Sequence, residues 1–125
     1  MFDMELPRIL YVDDEVINLE LLQLTFMNDF KVLTAASAKE GLRMLELNPH
    51  IHVVISDLKM PVMDGLDFIK VVKQIDPAKV CMLLTGFMES DVMLEGFNKE
   101  LIFRYLMKPW EMDHLAETIR EALKR

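Results

Sequence analysis

The stretch VVISDLKMP, residues 53–61, sets a carboxylate directly after an apolar segment. Residues 53–56 are apolar or small and lack the polar alternation of a half-exposed strand, so they predict a strand covered on both faces. Asp57 follows at once. A charged side chain at the end of a buried strand is costly unless it is paired, so Asp57 is expected to have a binding partner or a chemical function.

Similar short apolar runs recur along the chain and alternate with longer segments that have helical spacing. The strand candidates are ILYV (9–12), KVLTA (31–35), HVVIS (52–56), VCMLLT (80–85) and FRYLM (103–107). The helical stripes are Ala38, Gly41, Leu42 and Leu45; Val92, Met93, Gly96 and Phe97; and Met112, Leu115, Ile119 and Ala122. Fivefold alternation predicts an α/β fold in which helices cover both faces of a parallel sheet.

Local signals mark several helix ends. Ser37 with Glu40 forms an S-x-x-E capping box at the start of one helix. Pro49 and Pro77 predict that two helices end at the residues before them.

Length and composition favour one acidic globular domain. The 125 residues carry a formal charge of -7 and a pI near 4.9, which argues against direct nucleic-acid binding. No apolar run reaches membrane-spanning length, and the start does not resemble a signal peptide. The only cysteine, Cys81, excludes an intramolecular disulfide and is expected to be buried. A cytoplasmic location is therefore expected.

Polar side chains end four of the five predicted strands. They are Asp13, Asp14, Asp57, Thr85 and Lys108. Ligands of open parallel sheets bind beyond the carboxyl ends of the strands, so these side chains are expected to converge. Crowded carboxylates repel one another, and the usual remedies are a raised pKa or a bound cation. Oxygen ligands of this kind favour a hard cation such as Mg²⁺ or Mn²⁺. An ionised aspartate beside such a cation can attack phosphorus and form an acyl phosphate.

Each of these residues also has an ordinary structural interpretation. The Asp13–Asp14 pair is typical of a turn or a helix N-cap, and Asp57 could cap the next turn. Thr85 fits as the last β-branched residue of a strand, and Lys108 as a solvated loop lysine. Gly65 most simply supplies a turn. These interpretations are less plausible together, because they require several polar strand ends to coincide.

The motifs together resemble a response-regulator receiver domain of two-component signalling. The matching strings are LYVDDE, SDLKMPVMDG, LLTG and RYLMKP, in order and across essentially the whole chain. The resemblance implies a flavodoxin-like, doubly wound, five-stranded parallel sheet of order 2-1-3-4-5 with five flanking helices. It further implies that residues 1–125 form a single receiver domain, either standing alone or as a piece of a longer protein.

The resemblance also implies a metal and phosphorylation site. Asp57 would accept a phosphoryl group from a histidine kinase or a small phosphodonor. Asp14 would bind Mg²⁺ directly and Asp13 through water. The backbone carbonyl of Lys59 would be a further ligand, beside Asp57 itself.

A switch follows from the same resemblance. Lys108 would bind the phosphoryl group, Thr85 would shift toward it, and Tyr105 would turn inward into the vacated space. Lys108–Pro109 would be a cis peptide, which X-Pro bonds tolerate. The output surface would be the fourth helix, fifth strand and fifth helix, roughly residues 89–125.

The expected partners are a sensor histidine kinase and a downstream output domain or protein, with no nucleic acid and no membrane. Lys59 and Phe87 are expected to tune the phosphoryl lifetime, in a direction that the sequence does not give. Apolar positions of the output surface suggest phosphorylation-promoted dimerisation; they are Met93, Phe97, Phe103 and Tyr105. RYLMKPW further resembles receivers attached to cyclic-dinucleotide phosphodiesterases or kinases.

Three other functions compete with a non-enzymatic switch. An aspartyl-nucleophile phosphohydrolase usually has a second Asp two residues after its nucleophile, where this chain has Lys59. A nucleotide- or flavin-binding module should have a Gly-rich loop after the first strand, where this chain reads VDDEVIN. A receiver-like module that binds proteins without phosphorylation usually lacks one of the key residues, and all of them are present.

Overall fold

The computed structural model describes residues 5–86 and 100–125. Their strands and helices alternate along the chain. In chain order they are β1 (Arg8–Val12), α1 (Val16–Phe26), β2 (Lys31–Ala35), α2 (Ala38–Leu47), β3 (Val53–Ser56), α3 (Gly65–Ile75), β4 (Val80–Thr85), β5 (Arg104–Met107) and α4 (Met112–Leu123). The five strands form one sheet of order β2-β1-β3-β4-β5, and every neighbouring pair is parallel. The predicted fold class and strand order are therefore confirmed.

The described residues contain four helices, whereas the sequence predicted five. The predicted fourth helix, with Val92, Met93, Gly96 and Phe97, lies outside the described residues, as does Phe87. The helix labelled α4 is therefore the one predicted as the fifth.

The central strands are buried because helices cover both faces of the sheet. All four residues of β3 are buried, as are the last four of β1 and the last five of β4. Two hydrophobic clusters form the core, one containing residues of α1 and α4 and the other residues of α2 and α3. Cys81 is buried as predicted, and burial raises the pKa of its thiol to about 12.

The helix ends follow the local sequence signals. The Ser37 side chain caps α2 by accepting a hydrogen bond of 3.1 Å from the backbone N–H of Glu40. Asn48 and Asp76 are the C-caps of α2 and α3, as the following prolines predicted. In α4 the predicted stripe is only partly right, because Met112 lies on the surface with 51% of its area exposed.

Helix α1 is apolar on two sides. Leu19, Leu22 and Phe26 pack into the core, while Ile17 and Leu24 are 72% and 66% exposed. Most of the exposed face of this helix is thus apolar, which is unusual for a surface helix.

Candidate phosphoryl-transfer site

The strand ends place the predicted polar residues at one edge of the sheet. The backbone N–H of Asp13 donates to Ala35, that of Asp57 to Val12, and that of Lys108 to Thr85, at 3.1, 2.9 and 2.9 Å. Each bond links a strand end to its neighbour in the sheet. The sheet backbone therefore fixes the positions of two of the carboxylates and of the lysine.

Lys108 connects the two buried carboxylates. Its ammonium group lies 2.7 Å from Oδ2 of Asp13 and 3.4 Å from Oδ2 of Asp57. Asp13 is fully buried and Asp57 is 7% exposed. This shared cation partly offsets the repulsion between two carboxylates held in a poorly solvated place. The Lys108–Pro109 peptide bond is cis, as expected.

The two carboxyl groups have opposite pKa shifts. Burial opposes ionisation of Asp13, but hydrogen bonds from Lys108 and Tyr11 outweigh it and hold the pKa of Asp13 below its ordinary value. Burial, assisted by the negative charge of Asp13, raises the pKa of Asp57 despite its contacts with Lys108 and Thr85. For Lys108, burial is outweighed by these two carboxylates, so its pKa is raised.

The backbone and two neighbouring side chains hold the Asp57 carboxylate. Its Oδ1 accepts a hydrogen bond of 2.8 Å from the backbone N–H of Leu58. Oδ2 faces Lys108, and the Thr85 side chain hydrogen-bonds to the same carboxylate. Thr85 is thus more than the last β-branched residue of a strand.

A divalent cation fits between the carboxylates. One oxygen each from Asp13, Asp14 and Asp57 can be chosen so that all three lie within 4.8 Å of one another. Asp14 is exposed, so the cluster is open to solvent on its side. Carboxylate oxygens are the ligands of hard cations, and Mg²⁺ characteristically combines one or two of them with water. The acidic cluster therefore suits Mg²⁺ or Mn²⁺.

Two ordinary interpretations from the sequence need correction. Neither Asp13 nor Asp14 is the N-cap of α1, which is Glu15. The alternative of a turn holds, because Oδ1 of Asp13 accepts a hydrogen bond from the backbone N–H of Glu15 at 3.0 Å. Gly65 does not supply a turn but is the first residue of α3. A Cβ atom there would stand 2.0 Å from the backbone carbonyl oxygen of Asp57, so only glycine fits.

The remaining predicted site residues lie around this centre. Lys59 is exposed, two residues beyond Asp57. Tyr105 is half-buried in β5 and packs against the core cluster that contains residues of α2 and α3. The ring of Trp110 packs on Phe26 of α1 at 5.5 Å, which ties the segment after Lys108 to that helix.

Sequence reasoning missed three groups that contact the site. Tyr11 was treated only as an apolar strand residue, but its hydroxyl donates to Asp13 at 2.6 Å. Asn18 and the backbone N–H of Glu15 also donate to Asp13. The i, i+2 spacing of Tyr11 and Asp13 was the available signal. In an extended chain, side chains two residues apart point to the same face of the sheet.

Residues 9–120 match the family described as the response regulator receiver domain, and the chain belongs to that family. Among curated proteins, it is 37% identical over 116 residues to the hydrogenase transcriptional regulatory protein HoxA of Bradyrhizobium diazoefficiens. It is 32% identical over 119 residues to the transcriptional regulatory protein GlrR of Escherichia coli. These alignments cover 93% and 94% of this chain but only 24% and 26% of the relatives.

Solved structures agree with this family. A response regulator receiver domain protein from Clostridium thermocellum superposes with a TM-score of 0.89 at 37% identity, covering 96% of each chain. The signal receiver domain of an HD domain-containing protein from Pseudomonas fluorescens gives 0.88 at 30% identity, again covering 96% of each chain. The predicted likeness to receivers attached to phosphodiesterases or kinases stays a prediction. Within the described residues, no helix has the length and apolar character needed to cross a membrane.

Proposed function

We propose that this receiver domain is a phosphorylation-activated switch of two-component signalling, with Asp57 as the phosphoacceptor. The observation that carries the proposal is the convergence of Asp57, Asp13 and Lys108, in which one ammonium group contacts both carboxylates at 3.4 and 2.7 Å. Phosphoryl transfer needs charge neutralisation and alignment more than acid–base chemistry, and this arrangement provides both.

In the proposed reaction an Asp57 oxygen attacks the phosphorus of a phosphodonor. An O–P bond forms, the bond from phosphorus to the leaving group breaks, and the leaving group keeps that electron pair. Lys108 binds an oxygen of the incoming group, and the Thr85 hydroxyl donates to another. Bound Mg²⁺, held by Asp13, Asp14, Asp57 and the backbone carbonyl of Lys59, would neutralise negative charge on the phosphoryl oxygens.

The phosphoryl group then changes the conformational equilibrium of the domain. It adds about -1.5 to -2 charges beside Lys108. It biases the fold only through contacts that are better in the active state. We assign those contacts to Thr85, which already bonds to the Asp57 carboxylate, and their transmission to Tyr105.

The phosphodonor is proposed to be a histidine kinase that docks on the exposed face of α1. The apolar residues of this face are Val16, Ile17, Leu21 and Leu24, each more than half exposed. It begins directly after Asp13, Asp14 and Glu15. A donor protein must bring its phosphohistidine to Asp57, so it must contact the surface next to the strand ends. An exposed apolar face in that place fits a protein partner.

What the receiver domain controls is also part of the proposal. The chain spans about a quarter of the length of the curated regulators it matches. We take residues 1–125 as one receiver domain that controls an output module in a longer chain or a separate protein. Phosphorylation-promoted dimerisation through β5, α4 and the predicted fourth helix belongs to the same proposal. Light scattering with and without a phosphoryl mimic tests it, and an unchanged monomer mass would reject it.

The domain is proposed to catalyse only its own phosphorylation and dephosphorylation, and to work in the cytoplasm. The phosphohydrolase alternative lacks the second Asp two residues after the nucleophile, because that position is Lys59. Intact mass after incubation with acetyl phosphate and Mg²⁺ tests the proposal. One phosphoryl adduct that needs both Mg²⁺ and Asp57 is expected. Catalytic turnover of a phosphomonoester would favour the hydrolase instead, and no adduct would favour a phosphorylation-independent binding module.

A further inference from the structure

Tyr11 contributes a buried hydroxyl to the carboxylate cluster. The side chain lies in β1 with none of its area exposed, and its hydroxyl donates to Oδ2 of Asp13 at 2.6 Å. The same oxygen accepts from Lys108 at 2.7 Å and from Asn18 at 3.2 Å. The other oxygen, Oδ1, accepts from the backbone N–H of Glu15 at 3.0 Å. Four donors thus hold this carboxylate in one orientation.

Packing of the hydrophobic core does not require the hydroxyl group of Tyr11. Phenylalanine would fill the same space in β1, so packing alone does not explain a phenol at this position. A distance of 2.6 Å is typical of an O–H donor bonded to an ionised carboxylate, which is among the stronger hydrogen bonds in proteins. Tyr11 and Asp13 are both fully buried, so water cannot readily replace this bond.

We propose that Tyr11 is a positioning residue for the cation site, because its hydroxyl holds the Asp13 carboxylate in the orientation that serves a divalent cation. The inference rests on the proposed function, which takes the acidic cluster as a Mg²⁺ site. Tyr11 acts through Asp13 and has no contact with the phosphoryl group. Groups that hydrogen-bond to a metal ligand typically change metal affinity about 10–100-fold when they are removed.

The test is the Tyr11→Phe variant, which keeps the ring and loses only the hydroxyl. Calorimetric titration with MgCl₂ alone, without any phosphodonor, is expected to give a Kd about tenfold higher than that of the parent protein. In acetyl phosphate reactions, the Mg²⁺ concentration for half-maximal rate should rise by the same factor. The rate at saturating Mg²⁺ should stay within about twofold, because the phosphoryl contacts are untouched.

Two variants separate positioning from stability. Asn18→Ala removes the longer of the two uncharged side-chain bonds to Oδ2 and should raise the Kd by a smaller factor than Tyr11→Phe. Thr118→Val removes a buried hydroxyl of α4 that donates to its own helix, at the carbonyl of His114, and should leave the Kd unchanged. A role limited to stability would lower the unfolding temperature of metal-free Tyr11→Phe without moving its Kd.

The outcomes distinguish this inference from the proposed function. If the parent protein binds no Mg²⁺, the proposed function fails, and the role of Tyr11 fails with it. If the parent binds Mg²⁺ and folded Tyr11→Phe binds it equally well, only the positioning role is overturned. A raised Kd in Tyr11→Phe, with Thr118→Val unchanged, supports the positioning role.

Discussion

Gly65 lies against the backbone of Asp57 so closely that a Cβ atom at position 65 would stand 2.0 Å from the Asp57 carbonyl oxygen. The backbone N–H of Gly65 also donates to Leu58 at 2.8 Å. The start of α3 therefore packs directly on the segment that carries the proposed phosphoacceptor. The position of the Asp57 backbone therefore depends on the absence of a side chain at Gly65.

Gly65→Ala should disturb both stability and phosphorylation. The added methyl group meets backbone atoms, which cannot rotate away, so α3 must shift. We expect the free energy of unfolding to fall by about 1–3 kcal/mol and the rate of phosphorylation by acetyl phosphate to fall as well. Denaturant titration and intact mass measure the two effects. Gly86→Ala is the matched control, because none of the residues that the structure describes has an atom within 4 Å of its Cβ position, chain neighbours aside. Equal losses in both variants would contradict the account.

Lys108→Met should lower stability as well as phosphorylation. It leaves the fully buried Asp13 carboxylate without its ion-pair partner at 2.7 Å. Lys108 is 21% exposed, so water softens the loss, which we expect to be about 2 kcal/mol in urea unfolding. Lys108→Arg keeps the charge and should lose less stability, although its planar group fits the phosphoryl site differently. Unchanged unfolding of Lys108→Met would show that this ion pair does not matter to the fold.

Asp57→Asn should stabilise the metal-free protein at neutral pH. The pKa of Asp57 is raised in the folded state, by burial first and by Asp13 next, so its ionisation opposes folding. This destabilisation is full above the folded pKa and disappears as pH falls toward the unfolded value. In EDTA at pH 7 the variant should therefore have a higher melting temperature than the parent protein. The difference in melting temperature between Asp57→Asn and the parent protein should narrow toward pH 4. A lower melting temperature of Asp57→Asn at pH 7 would contradict the claim that ionised Asp57 destabilises the fold.

Val62→Gly should stabilise the protein without changing the site. Val62 has φ of 72°, and its side chain is fully exposed, so no packing offsets the strain of a β-branched residue in the left-handed region. Part of the gain is lost to the greater freedom of glycine in the unfolded chain. A net increase of about 0.5–1 kcal/mol is expected from thermal unfolding. Val62→Ala, which retains a Cβ atom, should gain less, and a loss of stability in Val62→Gly would contradict the argument.

Leu21→Glu and Leu24→Glu should separate the kinase from small phosphodonors. Both side chains are exposed on α1, at 56% and 66%, so glutamate is tolerated there. Transfer from the kinase should slow at least about tenfold, because a charge in an apolar contact is left without a partner. Phosphorylation by acetyl phosphate should be unchanged. Leu47→Glu on α2 is the control, with 64% exposure in the last turn of that helix. Equal slowing by Leu47→Glu would remove the special role of α1.

Much of the fold could be predicted because its signals are local. The bounds of β2 and β4 were predicted as they stand, since each is a short, mainly apolar run. The ends of α2 and α3 followed from the prolines after them. The convergence of the polar strand ends required only a parallel sheet, because that topology brings their carboxyl ends to one edge.

The features that the sequence did not predict depend on contacts between distant segments. The exposure of Met112 depends on where α4 lies relative to the sheet, which helical spacing does not specify. Gly65 was assigned to a turn because its closeness to Asp57 exists only after α3 packs against the strand end. Tyr11 lies in an apolar run, so the sequence indicated no partner for its hydroxyl. That partner is Asp13, whose carboxylate also accepts a hydrogen bond from the distant Lys108.

The most direct test of the central claim is to locate the phosphoryl group. After treatment with acetyl phosphate and Mg²⁺, borohydride reduction converts an aspartyl phosphate to homoserine, and peptide mass mapping identifies the position. Homoserine at residue 57, absent without Mg²⁺ and absent in Asp57→Asn, is the predicted result. Modification at another residue, or none under conditions that saturate the cation site, would contradict the assignment of Asp57 as the phosphoacceptor.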